Sequence, residues 1–454
     1  MAVHGELRAS KEKDDGKAHR TPGQANIFVG AANKGNGGMW DASSLNSPMQ
    51  IILNKISDSQ PAALLIAALD LRNMPSPFRC LRWMLTSALI SLCALFAAHA
   101  QSTLTVTDLA GRTVRIPAKV ERILLGEGRL LPALAVFDKD NPLRRLVGMM
   151  GEFEKLDEAG YAQWKRRFPQ IDQVPRVGRT SSGSFSDEQA IALRPQVAIL
   201  GLAGGHGPSE RDRETLARLE AAGIAVVFID LRHEPLANTP RSMLLLGEVL
   251  GNKREAEAFV QFWRTQLAVV TDRLAQARPT APTVFLENRV GLSEGCCDTM
   301  VGLVGKLLDA TGAHNVARGL VPGEFGTLNP EFLIARQPRV YIGTGIGTLA
   351  AARQTPLRVV LGADATPEAA RASLARAVQR RGIEQLQAVR EGRAYAMWHH
   401  FYNSPFNVVA VQVFAQWLHP TLFADLDPRA TLQTMYARFQ PIALEGVYWT
   451  ALTP

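Results

Sequence analysis

The chain has 454 residues, a formal net charge of +8 and four cysteines. Beyond residue 100 it carries 40 basic and 35 acidic residues, a mild excess with no basic run, so a nucleic-acid-binding reading has no support. That stretch is too long for one compact lobe and suits two domains, each with its own core.

Residues 1–73 are rich in Gly, Asn, Ser and Lys and lack a sustained period. We read them as a mis-assigned or disordered leader, outside the fold. Met74 then opens MPSPFRCLRWMLTSALISLCALFAAHAQS: arginines at 79 and 82, an apolar run from Met84 to Ala98, and Ala98-His99-Ala100 as a cleavage site. This predicts a secretory signal over 74–100 and a mature protein starting at Gln101, because the apolar run is short for a bilayer. Cys80 and Cys93 fall inside the signal, and Ile90-Ser91-Leu92 before Cys93 is not a lipobox. A periplasmic protein, soluble after cleavage, is expected. The two cysteines beyond it, Cys296 and Cys297, are adjacent. In an oxidising compartment they can close on each other, pair with another chain or stay reduced.

From Val120 short apolar runs alternate with amphipathic stretches, the pattern of open parallel α/β sheets. Strands are predicted at Arg122–Leu125, Arg145–Gly148, Val197–Gly201 and Ala225–Ile229, and helices at Arg129–Phe137, Ser186–Leu193 and Ser209–Ala222. These form a first lobe, 101–237. The segment 238–278 has no strand signal and apolar residues at helical spacing, from Met243 to Leu274, which predicts one long linking helix, interrupted at most once at Gly251-Asn252. A second lobe, 279–454, resumes with strands Thr283–Glu287, Val340–Gly343 and Ala394–Trp398 and helices Thr299–Thr311, Ala369–Gly382, Asn407–Leu418 and Pro428–Phe439.

Four phrases in order carry a family resemblance: TLTVTDLAGRTVRIPAKVERILL after the cleavage site, SFSDEQAIALRPQVAILG at 184–201, LLDATGAHNVA at 307–317 and LNPEFLIARQPRVYIGTG at 328–345. Together they resemble the cluster-A (class III) periplasmic substrate-binding proteins of ABC importers for ferric siderophores, haem and cobalamin. The resemblance implies two Rossmann-like α/β lobes joined by a long rigid helix, with a ligand cleft between them; because a long connecting helix resists bending, a small lobe movement on binding is expected. It also implies that one acidic residue per lobe meets arginines on the permease. Carried to this chain, those residues are Glu188 and Glu331, which equally complement the N-termini of their own helices.

In such folds ligands lie beyond the carboxyl ends of the strands. Arg129, Arg232 and Arg289 each follow a predicted strand and can offer a planar fork of donors to oxygen-rich anions. A surface salt bridge is the plainer account of each. The loop His399-His400-Phe401-Tyr402-Asn403-Ser404-Pro405 places imidazoles and a phenol after a strand, so His399, His400 and Tyr402 are candidate ligand contacts, and the two histidines candidate metal contacts. Core filling and capping are the alternatives. His206 in GLAGGHG and the Cys296-Cys297 pair are further candidates. GLAGGHG and GTGIGT match neither dinucleotide nor P-loop spacing and are read as tight turns.

The expected function is the periplasmic substrate-binding component of an ABC importer, capturing an iron chelate, either a ferric siderophore or haem. Corrinoid and nickel chelate are the alternatives within the fold. No intrinsic cofactor is expected; the chelate is the transported ligand. The expected partners are a membrane permease and its ATPase, and a monomer is expected. An exported chelate-modifying enzyme is the competing class, but the sequence has no H-E-x-x-H site. A binder that signals without a permease is the third possibility.

Overall fold

The structure is a computed structural model that describes residues 102–292 and 295–453. The leader and the export signal expected at 1–100 lie outside the described residues. A hairpin opens the fold: β1 (Thr103–Thr107) and β2 (Thr113–Pro117) pair antiparallel, and Asp108 ties their turn by accepting from the backbone N–H groups of Ala110 and Arg112. The first lobe is then a parallel four-stranded sheet ordered β4-β3-β5-β6, from β3 (Ile123–Leu125), β4 (Leu146–Met149), β5 (Val197–Gly201) and β6 (Ala225–Ile229). Its strands are nearly all apolar because helices cover both faces.

The second lobe is a mixed sheet. Its core strands β7 (Thr283–Glu287), β11 (Val340–Gly345) and β12 (Ala394–Trp398) run parallel, and β13 (Trp449–Ala451) closes one edge antiparallel to β12. On the other side lie β8 (Asp298–Met300), β9 (His314–Asn315) and β10 (Phe325–Thr327). Here the expected helix Thr299–Thr311 is corrected. Thr299 pairs with Glu287 and donates its hydroxyl to Leu286 O at 2.7 Å, and Leu303 has φ 51°, so the helix begins only at Val304 and ends at Asp309. The antiparallel edge strands β8, β10 and β13 were not foreseen.

The link between the lobes is helical, broken once. Helix Pro235–Leu250 ends at Gly251, whose φ of 74° suits a residue without Cβ, and helix Lys253–Ala277 follows. At 1.5 Å per residue the second helix is about 37 Å long. It is not a free rod. Trp263 donates its indole N–H to Asn407 Oδ1 at 3.0 Å, Phe259 meets Phe439 edge-on at 5.1 Å, and Arg273 grips Asp425 with two bonds of 2.6 and 2.8 Å. These partners lie on or beside helices Val408–Leu418 and Pro428–Phe439, so the chain's last helices brace the linker. The stretch after them crosses to the first lobe: Gln440 donates to Pro132 O and Gln163 to Ala443 O. One apolar cluster runs from Ile123 and Val197 through Met243 and Trp263 to Val284 and Phe414.

Candidate functional site

A helix that leads into a parallel strand runs antiparallel to it, so the strand's carboxyl end and the helix N-terminus share one edge. At that edge of both sheets lies a cavity of about 590 Å³. The first lobe supplies Ala203 to His206 from the loop after β5, and Arg232 from the loop after β6. The second supplies Asn288 and Arg289 after β7, Asp298, Glu324 to Thr327, and His399 and Tyr402 after β12. Five residues singled out in the sequence, His206, Arg232, Arg289, His399 and Tyr402, therefore line one space.

Arg232 is held in place. Its guanidinium donates to Glu127 Oε2 at 2.7 Å and Gly204 O at 2.6 Å, and sits over the Tyr402 ring at 5.1 Å. The glycine run has its reason here: a Cβ on Gly205, whose φ is 149°, would lie 1.7 Å from Arg232 Nη1. The run makes room for a cation rather than cradling a phosphate.

The two cavity histidines have tautomers assigned by their partners. His206 Nδ1 lies 2.7 Å from Thr180 O; a carbonyl only accepts, so Nδ1 carries the proton and Nε2 the lone pair. Thr344 Oγ1 accepts from Arg289 N–H at 2.8 Å and donates its one hydrogen to Glu287 O at 3.3 Å. Towards His399 Nδ1, at 3.2 Å, it is therefore an acceptor, and His399 too presents a lone pair on Nε2. Burial lowers the pKa of His206, and holds that of His399 well below the ordinary imidazole value, with Arg289 and Arg129 adding repulsion to the latter. Both imidazoles are kept neutral, the form that ligates metals.

Arg129 and His400 lie elsewhere. Arg129 is 5% exposed and sits behind Tyr402. It donates to His400 Nδ1 at 2.7 Å and Tyr402 Oη at 3.2 Å, with Glu127 at 3.6 Å and Glu152 at 3.8 Å. His400 Nε2 donates to Leu156 O at 2.9 Å. Both its nitrogens are thus engaged, and a joint His399–His400 metal site would require Arg129 to leave. Arg129, which the sequence offered as a ligand contact, bonds His400 across the two lobes and does not line the cavity, and Asn403 adds a bond of 3.0 Å to Glu127. Within this knot burial raises the Glu152 carboxyl to about 7, against the pull of Arg129.

Cys296 and Cys297 are joined to each other by a disulfide, beside the cavity rather than lining it. Next to them is a cluster the sequence reading missed. Arg380 makes two bonds of 2.7 Å to the Glu287 carboxylate, which also accepts from Tyr341, and donates to Gly295 O at 3.0 Å. An acid closing an otherwise apolar strand was the available signal. Glu188 and Glu331 are both exposed in the first turns of their helices, Asp187–Ala192 and Pro330–Arg336. Each helix leads into a parallel strand, β5 or β11, so both acids stand at the cleft edge of their lobes. No helix among the described residues is long and apolar enough to cross a membrane.

Residues 156–397 match the family model described as periplasmic binding protein. No curated protein matches the sequence. Among solved structures the chain is similar to the TroA-like periplasmic binding protein FepB from Veillonella parvula, at 24% identity and TM-score 0.69 over 77% of this chain and 100% of that one. It is also similar to the molybdate periplasmic binding protein MolA from Haemophilus influenzae, at 18% identity and TM-score 0.56 over 76% and 99%. CeuE from Helicobacter pylori in a Ni-His complex matches at 13% identity and TM-score 0.53 over 74% and 95%. At these identities the likeness is one of fold. With the family model matching more than half of the chain and two α/β lobes facing across a cavity, the chain belongs to the periplasmic binding protein family and has the cluster-A architecture.

Proposed function

We propose that this protein is the substrate-binding component of an ABC importer that captures an iron chelate in the periplasm and delivers it to a membrane permease. One observation carries the reading of the ligand: one neutral imidazole from each lobe, His206 and His399, lines the cavity with its Nε2 lone pair unspent. Beside them stand the guanidinium groups of Arg232 and Arg289. Lone pairs suit a metal with an open coordination position, and guanidinium forks suit the anionic oxygens that hold ferric iron. The lining has few apolar side chains, chiefly Leu303, Phe325 and Tyr402, which favours a compact oxygen-rich chelate over the large apolar faces of haem. A nickel chelate is the second reading, supported by the affinity of imidazole for nickel and by the Ni-His complex of CeuE.

The seam supports a small closure. Arg129, His400, Asn403 and Glu127 already join the lobes, and Lys306 bonds Glu234 at 2.8 Å from one lobe to the other. Glu188 and Glu331 serve as the permease contacts in this reading. Native mass spectrometry of the protein isolated from its own periplasm tests the function. A single metal-containing species at one per chain supports it, and turnover of a bound chelate by the purified protein would replace it with the enzyme reading.

A further inference from the structure

A second recess, of about 150 Å³, shares Arg289 with the main cavity. Three basic side chains line it: Lys155 from the first lobe, and Arg289 and Arg358 from the second. The arginines buried at the seam and in the second lobe are paired, as in Arg129–Glu127 and Arg380–Glu287. By contrast, Lys155, Arg289 and Arg358 make no side-chain hydrogen bond or ion pair among the described residues, and Arg358 Nε is buried with no partner.

Of these, Arg358 is held in place. Val290 N–H donates to Thr344 O at 2.8 Å and Val359 N–H to Val290 O at 3.4 Å, so the residues preceding each valine leave the backbone side by side. The Arg358 stem lies along Gly347, where an added Cβ would be 2.5 Å from its Cδ. The chain at Leu357 crosses Gly291, where a Cβ would meet Leu357 O at 2.1 Å. Two carboxylates share the recess, Asp157 and Glu158. Asp157 accepts from Gly160 N–H of its own helix at 3.2 Å, Glu158 is exposed, and neither is paired with the three cations. Lys155 and Arg289 are exposed and reach the recess from solvent, whereas Arg358 is half-buried and its desolvated Nε–H is costly unless an acceptor such as an anion fills the space.

We propose that this recess is an oxyanion subsite. Its volume holds roughly five non-hydrogen atoms, taking ~30 Å³ each, the size of a carboxylate arm or a phosphate. Because Arg289 borders both spaces, the group bound there can be the carboxylate arm of the cargo or a free inorganic anion. The assignment stands apart from the iron-chelate reading, since the recess can bind an anion whatever fills the main cavity.

The test is calorimetry on the purified protein at low ionic strength, with inorganic phosphate and citrate as separate probes. Saturable binding of either is expected, weakened about tenfold in Arg358→Gln and in Lys155→Gln, each of which loses one charge-assisted contact. Arg358→Lys should recover part of the loss, and His206→Ala should change nothing. Phosphate binding would identify a free-anion site; citrate binding alone would identify a seat for a carboxylate arm. Absence of saturable binding by both probes, wild-type affinity in Arg358→Gln, or loss of binding in His206→Ala would overturn the proposal while leaving the main cavity's function untouched.

Discussion

Replacing Arg129 by methionine tests whether this residue holds the lobes or touches the cargo. Its guanidinium, 5% exposed, stands between Glu127 and Glu152 and bonds His400 and Tyr402. Methionine fills much of the volume but leaves two buried carboxylates facing each other. Removing one partner of a buried ion pair costs about 3–5 kcal/mol, and that is the expected loss in urea unfolding at pH 8. The loss should shrink in acid for a reason that fixes its sign. Burial raises the Glu152 pKa from 4.5 to about 7 in the folded protein, so folding favours the protonated acid. Its contribution is present at low pH and is lost as pH rises from 4.5 through 7. Without Arg129 the folded pKa rises further, and the variant keeps losing about 1.4 kcal/mol per pH unit above 7, where the wild type has levelled off. The double variant Arg129→Met/Glu152→Gln should recover part of the stability. A loss below about 1 kcal/mol that is equal at pH 6 and 8, or unchanged stability with cargo binding abolished, would refute the pinning role.

Arg380→Met should likewise cost about 3–5 kcal/mol in urea unfolding, because Glu287 keeps its burial and loses both bonds; a loss under 1 kcal/mol would make the cluster incidental. Gly205→Val should displace Arg232 from Glu127 and cost about 1–3 kcal/mol, with a weaker grip on cargo by titration; unchanged affinity would remove Arg232 from the ligand's contacts. Cargo affinity should stay flat from pH 8 to about 6.5 and fall below that, since the lowered pKa values of His206 and His399 delay protonation, and a protonated Nε2 has no lone pair to give. A fall in affinity already between about pH 8 and 7, where both rings are neutral, would contradict this account. Charge reversal, Glu188→Lys with Glu331→Lys, should abolish uptake and leave binding unchanged; uptake at the wild-type rate would locate the permease contact elsewhere.

The strands Val197–Gly201, Ala225–Ile229, Thr283–Glu287 and Ala394–Trp398 were legible to the residue, because a strand covered on both faces is an unbroken apolar run bounded by turns. The short edge strands were not. Asp298–Met300 owes its form to pairing with β7 and β10, and pairing across a gap of sequence leaves no local period. The same divide runs through the site. Strand-end loops put His206, Arg232, Arg289, His399 and Tyr402 in view, since topology alone sends such loops to one edge. The partner of each side chain was hidden, so Arg129 read as a clamp although it lies behind Tyr402, and Arg380, on a helix-side segment, drew no notice. Arg358 is conspicuous only once its buried Nε is seen to lack the partner that the buried Arg129 and Arg380 have.

The central claim, that the seam holds a metal chelate by an imidazole from each lobe, is tested most directly by X-ray absorption at the metal edge on protein isolated from its own periplasm. The account predicts about one metal per chain with two imidazole nitrogens in its inner coordination sphere, falling to one in His206→Ala and in His399→Ala. Metal-free protein, or a metal surrounded by oxygen alone and unaltered in both variants, would contradict it.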